Sequence, residues 1–347
     1  MATGQFLNLI DLTTRLDGAG DQMVVAEMLS QSNDIWDDIP MVEANEVFSH
    51  EISLRTSLPA GYWRGLNSGV PYGKSTTNKA RFGMATLEIY SQVDKLLASA
   101  AKDVNAFRAT EDRAFIEGMS QTMVQGIFYG NIQVNPAQFF GLSSFYNTVN
   151  PALAANSGNV IDAKGTGTSN SSIWLIGFGE GNIYGAYPQN TKAGLMVEDK
   201  GDMRAAYDNV GNPYEALTTW FCHRMSLIVH DWRQCARIAN IDVTAAGLAG
   251  PNAYDLFAGL SQAVVKIPKL GKTSGITKTD APHDIGGNTK SAFYVNRTIR
   301  YWLDVQGIRN RNVLLSMNDA AGKAQIAFRE IPIKVVDQLL TTESQVV

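Results

Sequence analysis

The four residues best suited to hold a metal ion lie within one short segment of the sequence. Two cysteines and two histidines fall within fourteen residues, and they are Cys222, His223, His230 and Cys235. Structural zinc sites use Cys-x-x-Cys or closely paired His spacings, and this segment has neither. Adjacent residues of an extended strand also point to opposite faces, which separates Cys222 from His223. We therefore predict buried thiols and histidines bonded to their neighbours, and no metal site.

Three glycine-rich segments partly resemble phosphate-binding loops. They are residues 73–75 (Gly-Lys-Ser), 177–181 (Gly-Phe-Gly-Glu-Gly) and 271–273 (Gly-Lys-Thr). A Walker A loop needs an earlier glycine, but Ser68 and Lys266 occupy the required positions. Strand-like residues follow the 177–181 segment, where a dinucleotide-binding fingerprint needs a helix. We therefore predict no nucleotide site, and we expect a turn between strands at 177–181.

No side chains are arranged for hydrolysis either. The nucleophile motif Gly-x-Ser-x-Gly is absent from the sequence. The adjacent carboxylates Asp37 and Asp38 lie in an irregular stretch that offers no pocket to activate them. We therefore predict a protein that is not an enzyme and that needs no cofactor.

The composition excludes several further classes of protein. Charged residues make up 18% of the 347 residues and apolar residues 45%, which is the opposite of the balance in a disordered chain. The net charge of −4 creates no basic field, and no apolar run reaches the ~18–20 residues of a membrane helix. Two cysteines cannot form a disulfide framework, so we expect a protein of a reducing cytoplasm that has no membrane partner.

The charges are arranged in two blocks of opposite sign. No Lys or Arg occurs between Arg15 and Arg55, whereas nine acids occur there. From Ile52 to Leu87 no acid occurs, whereas five bases do. The five bases are Arg55, Arg64, Lys74, Lys79 and Arg81. The blocks are either solvated faces of one molecule or complementary surfaces of two copies.

A long hairpin is predicted in the basic block. Residues 48–55 alternate between apolar and polar side chains, and the same pattern returns at residues 87–93. About thirty residues rich in Gly, Pro, Ser and Thr separate the two strands. They also carry Tyr62, Trp63 and Tyr72, so we expect an ordered protruding arm whose rings need a partner surface.

A long helix is predicted after the hairpin. Asp103 is a suitable N-cap, and Gly130 ends the helix after Tyr129. Gly118 and Gly126 inside it suggest close packing against another backbone. Strands are predicted for most of residues 139–241, helices at 253–265 and 296–306, and a strand-like segment at 324–336.

Several segments, taken in order, resemble the major capsid proteins of tailed bacteriophages, which have the Hong Kong 97-type fold. Asn33–Pro40 (NDIWDDIP) and Leu58–Gly69 (LPAGYWRGLNSG) are similar to the arm-to-loop segment of a podovirus-like subgroup. Ser226–Ile241 (SLIVHDWRQCARIANI) resembles a strand section of the same subgroup, and Glu330–Ile333 (EIPI) resembles its C-terminal strand. The resemblance rests on the agreement in order along most of the chain.

This resemblance implies an α+β, Hong Kong 97-like major capsid fold with an N-terminal arm, an extended β-hairpin loop, a long spine helix, and peripheral and axial domains. The expected divisions are 1–47 for the arm, 48–92 for the extended loop, 93–242 for the peripheral domain with its spine helix at 103–130, 243–330 for the axial domain, and 331–347 for the C-terminal strand and tail.

The resemblance also implies a function and partners. The protein would self-assemble into pentamers and hexamers that form the icosahedral shell around phage DNA, in the virion, after assembly in the host bacterial cytoplasm. Its other partners would be a separate scaffolding protein, a portal, a candidate decoration or cement protein, and packaged double-stranded DNA bound by non-specific contacts.

The predicted contact between subunits joins the two charge blocks. We expect Arg55, Arg64, Lys74 and Lys79 of the loop to meet acids of an adjacent arm, with Trp63 as the apolar anchor. The acids are Asp34, Asp37, Asp38 and Glu43. Two alternatives remain at this stage: the shell of a bacterial nanocompartment, which shares the fold, and an enzyme with an unrecognised site.

Overall fold

The computed structural model describes residues 33–101, 103–207, 211–249, 253–267, 290–309, 315–320 and 323–347. These residues form an α+β fold in which strands predominate. The strands are β1 Met41–Glu43, β2 Ser49–Ser57, β3 Thr76–Gly83, β4 Ala85–Asp94, β5 Val160–Asp162, β6 Asn170–Phe178, β7 Ile183–Tyr187, β8 Leu195–Tyr207, β9 Pro213–Val229, β10 Cys235–Asp242, β11 Lys290–Val295, β12 Leu315–Ala320, β13 Lys323–Phe328 and β14 Ile331–Val335. The α-helices are α1 Lys95–Ser99, α2 Val104–Tyr129, α3 Leu142–Phe145, α4 Ala245–Ala249, α5 Leu256–Lys266 and α6 Arg297–Arg309. Short 3-10 helices cover Asp34–Asp37, Ala155–Asn159 and Trp232–Gln234.

Strand β6 lies at the centre of the main sheet. It pairs antiparallel with β10 on one edge and with β11 on the other. The sheet continues from β11 through β14 and β13 to β12, and on the other side it reaches β9 through β7. All nine residues of β6 are buried, so its apolar sequence is explained by layers that cover both of its faces.

Each face of β6 contributes to a different hydrophobic core. Trp174 and Ile176 pack on the side that holds buried residues of α2, such as Phe128. Ile173 and Leu175 pack on the opposite side, where α5 and α6 supply their apolar faces. The alternation follows directly from the two-residue period of a strand.

Strand β9 connects the main sheet to a peripheral three-stranded sheet. Its last residues, Ser226–Val229, pair with β7, whereas residues 213–225 pair with β4 and β8. The segment at residues 87–93 is therefore a strand, as predicted, but its predicted partner is wrong. β2 pairs with β3, from Ser49↔Gly83 to Ser57↔Thr76. The polar β3 lacks apolar alternation because most of it is exposed, so the pattern in the sequence did not reveal it.

Helix α2 agrees with its prediction at both ends. The Asp103 side chain accepts hydrogen bonds from the backbone N–H groups of Asn105 and Ala106, which is N-capping geometry. The helix ends at Tyr129, and a Cβ on Gly130 would lie 2.5 Å from the carbonyl oxygens of Gly126 and Phe139. Close backbone packing therefore occurs just beyond the helix, and not at Gly118, where an added Cβ would meet no atom within 4 Å.

The predicted strand-like segment at 324–336 is two strands joined by a tight turn. Phe328 of β13 pairs with Ile331 of β14, which leaves Arg329 and Glu330 as the two turn residues. Both have positive φ values, 50° and 67°. This is the backbone twist that two-residue hairpins favour, although neither residue is glycine.

A buried ion pair attaches the C-terminal segment to the body. Arg237 of β10 donates to Glu343 at 2.8 Å, and both side chains are about 5% exposed. Glu343 also accepts hydrogen bonds from Ser172 of β6 and Tyr129 of α2, each at 2.5 Å. Arg237 further donates to the carbonyl oxygen of Tyr146 at 2.8 Å. The network thus joins the tail, the central strand and the long helix through groups that water does not reach.

Replacing Glu343 with Gln should destabilise the subunit by about 3–5 kcal/mol, because it leaves the Arg237 charge buried without a counter-ion. The measurement is denaturant-induced unfolding of the unassembled protein. Glu215→Gln is a matched control, because its ion pair with Lys95 is about half exposed and contributes at most about 1 kcal/mol. An equal and small effect of both substitutions would contradict the structural role of the buried pair.

Candidate assembly surface

The described residues Cys222, His223, His230 and Cys235 do not form a metal site. Cys222 and Cys235 are buried free thiols, as predicted, and burial raises the pKa of both. The His223 ring packs against Trp36, with 5.7 Å between ring centroids, and burial lowers its pKa. In the part of the chain that the structure describes, no group of three or more His, Cys, Asp or Glu side chains could hold a metal ion.

The glycine-rich segments are turns or loops wherever they are described. Residues 177–181 end β6 and turn into β7, as predicted. Residues 73–75 belong to the loop between β2 and β3, with no helix after them. Residues 271–273 and His283 lie outside the described residues. No helix among the described residues is both long and apolar enough to cross a membrane.

The most unusual surface of the subunit is the tip of the β2–β3 hairpin, residues 58–75, which we call the hairpin tip. Trp63, Leu66 and Tyr72 are 99–106% exposed, so they make essentially no contact with their own subunit. Leu58 is 76% exposed as well. Single exposed apolar residues are ordinary, but a cluster of large ones marks a binding surface. The sequence analysis predicted that Trp63 and Tyr72 need a partner surface, because they lie in a loop rich in Gly and Pro.

The root of the hairpin is held against the body by a small apolar cluster. Ile52 of β2 and Phe82 of β3 pack with Tyr184, Ala186 and Ile228 of the main sheet. The backbone N–H of Met84 donates to the carbonyl oxygen of Phe48 at 2.9 Å. The hairpin is therefore fixed at one end and exposed along the rest of its length.

Part of the basic charge on the hairpin is neutralised inside the subunit. Lys79 pairs with Glu51 at 2.5 Å, and this contact raises the Lys79 pKa. Arg81 pairs with Glu46 at the root. Arg55, Arg64 and Lys74 are exposed on the outer part of the hairpin, where Arg64 donates to the carbonyl oxygen of Ser68 at 2.7 Å. These three cations are the basic charges best placed for a second molecule.

The acidic segment that precedes the hairpin lies on the body of its own subunit. Ile35 is fully buried, and the Trp36 indole donates to Ser120 of α2 at 3.1 Å. Asp34, Asp37 and Glu43 are exposed, although the Glu43 carboxylate accepts from the backbone N–H of Asn190 at 2.9 Å. The described contacts of Asp37 and Glu43, with Lys290 and Asn190, lie on the body of the same subunit.

Asp38 differs from its acidic neighbours. It is 8% exposed, and its carboxylate accepts from the Tyr294 hydroxyl and from Lys334, each at 2.6 Å. The Asp38 charge is thus used within its own subunit, because burial brings it against a cation of β14. Sequence alone could not distinguish it from Asp37, whose carbonyl oxygen accepts from Lys290 at 2.5 Å.

Asp38→Asn should destabilise the subunit by roughly 2 kcal/mol, since it weakens a charge-assisted hydrogen bond and leaves Lys334 without its counter-ion. Asp37→Asn is the matched control and should change stability by less than about 0.5 kcal/mol, because its side chain is exposed. Both values come from denaturant-induced unfolding of unassembled protein. Equal effects of the two substitutions would show that the buried contact contributes nothing.

A comparison with protein families and solved structures agrees with this geometry. The model of the family described as major capsid protein GP7 matches residues 17–347. A chain from a solved structure of bacteriophage Epsilon15 is similar over 100% of this chain and 99% of that chain, with 28% sequence identity and a TM-score of 0.74. No curated protein matches the sequence.

More distant solved structures are also of shell proteins. The bacteriophage JBD30 capsid matches over 97% of this chain and 96% of that chain, with 9% identity and a TM-score of 0.48. An encapsulin from Synechococcus elongatus matches over 69% of this chain and 98% of that chain, with 12% identity and a TM-score of 0.43. At these scores neither adds to the argument.

The family match and the Epsilon15 likeness confirm the resemblance drawn from the sequence motifs and the predicted Hong Kong 97-like α+β fold. They favour a phage shell over a nanocompartment, and they confirm that the protein is not an enzyme, because the family is a structural one. Self-association into a shell and a location in the virion follow from the same evidence. The chain belongs to the major capsid protein GP7 family, whose members build the icosahedral shell of a bacteriophage.

Proposed function

We propose that this capsid subunit assembles into pentamers and hexamers through its hairpin tip, which binds a neighbouring subunit. The observation that carries the proposal is the complete exposure of Trp63 and Tyr72 on a two-stranded hairpin whose apolar contacts with the described part of the body lie at its root. An isolated two-stranded hairpin is marginally stable in water, so a partner surface would also stabilise its conformation.

Burial of the aromatic rings would supply most of the binding free energy. A buried aromatic side chain removes about 150–250 Å² from water, which corresponds to roughly 4–6 kcal/mol per ring before the cost of ordering. Trp63 and Tyr72 make no comparable contacts within the subunit. Because a shell repeats each contact many times, even a modest net gain per contact favours assembly.

The exposed charges would set the orientation of this contact. Arg55, Arg64 and Lys74 of the hairpin would meet Asp34, Asp37 and Glu43 of a neighbour, since complementary charges fix register and speed association. Lys79 would contribute less, because Glu51 already neutralises it. Asp38 is left out of this set because its carboxylate is buried against Lys334.

The domain divisions expected from the sequence also remain proposals, and pairing within the subunit supports them in part. The hairpin loop at 48–92 and the peripheral domain at 93–242 are linked by β4, which pairs with β9. The axial domain at 243–330 would include α5 and α6, and the C-terminal segment at 331–347 begins with β14. Residues 1–32 of the arm at 1–47 lie outside the described residues.

The finer partners follow from the same function. We propose assembly in the host bacterial cytoplasm with a separate scaffolding protein, a portal at one vertex and a candidate decoration or cement protein. Packaged double-stranded DNA would touch the shell only through non-specific contacts, and the net charge of −4 is consistent with this weak interaction.

Trp63→Ala should leave the folding stability of the subunit unchanged and weaken shell assembly. Removal of one central aromatic anchor costs about 2 kcal/mol per contact, which raises the protein concentration needed for assembly by more than about tenfold. Light scattering and electron microscopy measure assembly, and denaturant unfolding measures stability. Leu153→Ala, at another exposed apolar position, is the control. Unchanged assembly of the Trp63 variant would refute the proposal.

Asp37→Lys should weaken assembly most at low salt, because it places a cation opposite the basic hairpin of a neighbour. At about 50 mM salt the Debye length exceeds about 10 Å, so repulsion between neighbouring side chains is only weakly screened, whereas near 1 M salt it is screened within about 3 Å. Adding Lys74→Asp to this variant should restore part of the assembly if the two residues lie close together. Normal shells of Asp37→Lys at low salt would show that the charge blocks are only solvated faces.

A further inference from the structure

We propose that His50 makes the root of the hairpin sensitive to pH, so that protonation of this side chain loosens the hairpin from the body of the subunit. The proposal concerns the conformation of a single subunit. It rests on the proposed function only for its consequence in the shell, where the same hairpin would bind a neighbour.

His50 is a buried side chain at the point where the hairpin leaves the body. It lies on β2, is 9% exposed, and stands opposite Phe82 of β3. Its ring meets the Tyr184 ring edge-on, with 5.8 Å between centroids. Tyr184 belongs to the apolar cluster that also holds Ile52 and Phe82 of the hairpin. A change in the charge of His50 therefore acts directly on the contact that positions the hairpin.

The hydrogen bonds of His50 fit the neutral ring and not the charged one. The backbone N–H of Asn45 points at Nδ1 from 3.4 Å, so Nδ1 accepts. A neutral ring carries one proton, and because Nδ1 accepts, that proton is on Nε2, which donates to the Tyr184 hydroxyl 3.0 Å away. A second proton on Nδ1 would place two donors face to face, and the Asn45 contact would be lost.

Neither of the ring's two described hydrogen-bond partners, the Asn45 backbone N–H and the Tyr184 hydroxyl, is a carboxylate. The adjacent Glu51 and Arg81 point to the opposite face of the hairpin, where Glu51 pairs with Lys79 and Arg81 with Glu46. Tyr184 is neutral, and burial raises its pKa further. The other titratable group that acts on His50 is His230, which also interacts with Asp231. Burial and then His230 lower the pKa of His50, so both oppose its protonation in the docked state.

The direction of the pH effect follows from this environment. A hairpin released from the body exposes His50, whose pKa then returns to about 6.5. The released state binds the proton more tightly, so the docked state is favoured above about pH 6.5 and loses stability as the pH falls below that value. Between pH 7.5 and pH 5.5 the fraction of released hairpins can increase by at most about tenfold, because the exposed histidine, with a pKa of about 6.5, sets this limit.

Hydrogen exchange of the full-length, unassembled protein tests this inference. Mass spectrometry at pH 7.5 and pH 5.5, corrected for the intrinsic exchange rate at each pH, compares peptides from residues 45–57 and 76–84 with peptides from α2. We expect protection of the hairpin root to fall several-fold at pH 5.5 while protection of α2 stays constant. Equal protection of the root at both pH values would overturn the proposal.

Two uncharged variants assign the effect to His50. His50→Gln retains a polar side chain and His50→Phe retains a ring, and neither can be protonated, so whichever folds should abolish the pH difference at the root. His230→Gln should retain the difference. A difference that persists without His50, or that disappears without His230, would overturn the assignment. Because these experiments use unassembled protein, their outcome does not depend on whether Trp63 binds a neighbour.

Discussion

Burial of strand β6 on both faces is the constraint on which the rest of the subunit depends. A strand with no exposed residue needs a layer on each side, and here α2 covers one face while α5 and α6 cover the other. The strand also needs a hydrogen-bonded partner on each edge, which β10 and β11 provide. Once these neighbours are in place, the polar Ser172 of β6 can remain inside only as part of the network that holds Arg237 and Glu343. The central strand therefore determines both the layers and the path of the C-terminal segment.

The β2–β3 hairpin differs from β6 because most of its residues are exposed. Its strands pair with each other, and within the described part of the chain Ile52, Phe82 and the neighbouring root residues are the ones that reach an apolar cluster of the body. Its outer residues gain nothing from the packing that stabilises β6, and Trp63 remains fully exposed. The subunit thus combines a well-packed body with an extension whose large apolar side chains are exposed, and we propose that a neighbouring subunit covers them. This division explains why the sequence contains both a well-formed core and a set of large exposed rings.

The accuracy of the sequence-based predictions depended on how local each signal was. Helix α2 was predicted correctly from Asp103 to Tyr129 because capping residues and periodicity lie within the helix itself. The strand at β4 was recognised but given the wrong partner, since alternation reveals a strand and not the remote segment, near Cys222, that pairs with Glu88.

Asp38 was grouped with its exposed neighbours because a sequence carries no record of burial against Lys334. The Arg237–Glu343 pair was missed for the same reason, although an isolated Arg in the apolar run CARIANI was a usable signal. The exposure of Trp63 could be predicted from local sequence alone, because a large ring in a long loop rich in Gly, Pro, Ser and Thr has few neighbours to pack against.

Strand β9 gives the subunit a particular mechanical property. It is one continuous strand of 17 residues that belongs to the peripheral sheet at its start and to the main sheet at its end. At about 3.4 Å per residue it spans roughly 58 Å. A force applied along the peripheral sheet is therefore transmitted to the main sheet through the covalent backbone of β9. The hydrogen bonds that β9 makes with β4, β8 and β7 are then loaded in shear, so that many of them resist the force at the same time. A shell built from such subunits can therefore bear outward pressure without separation of the peripheral sheet from the main sheet inside each subunit.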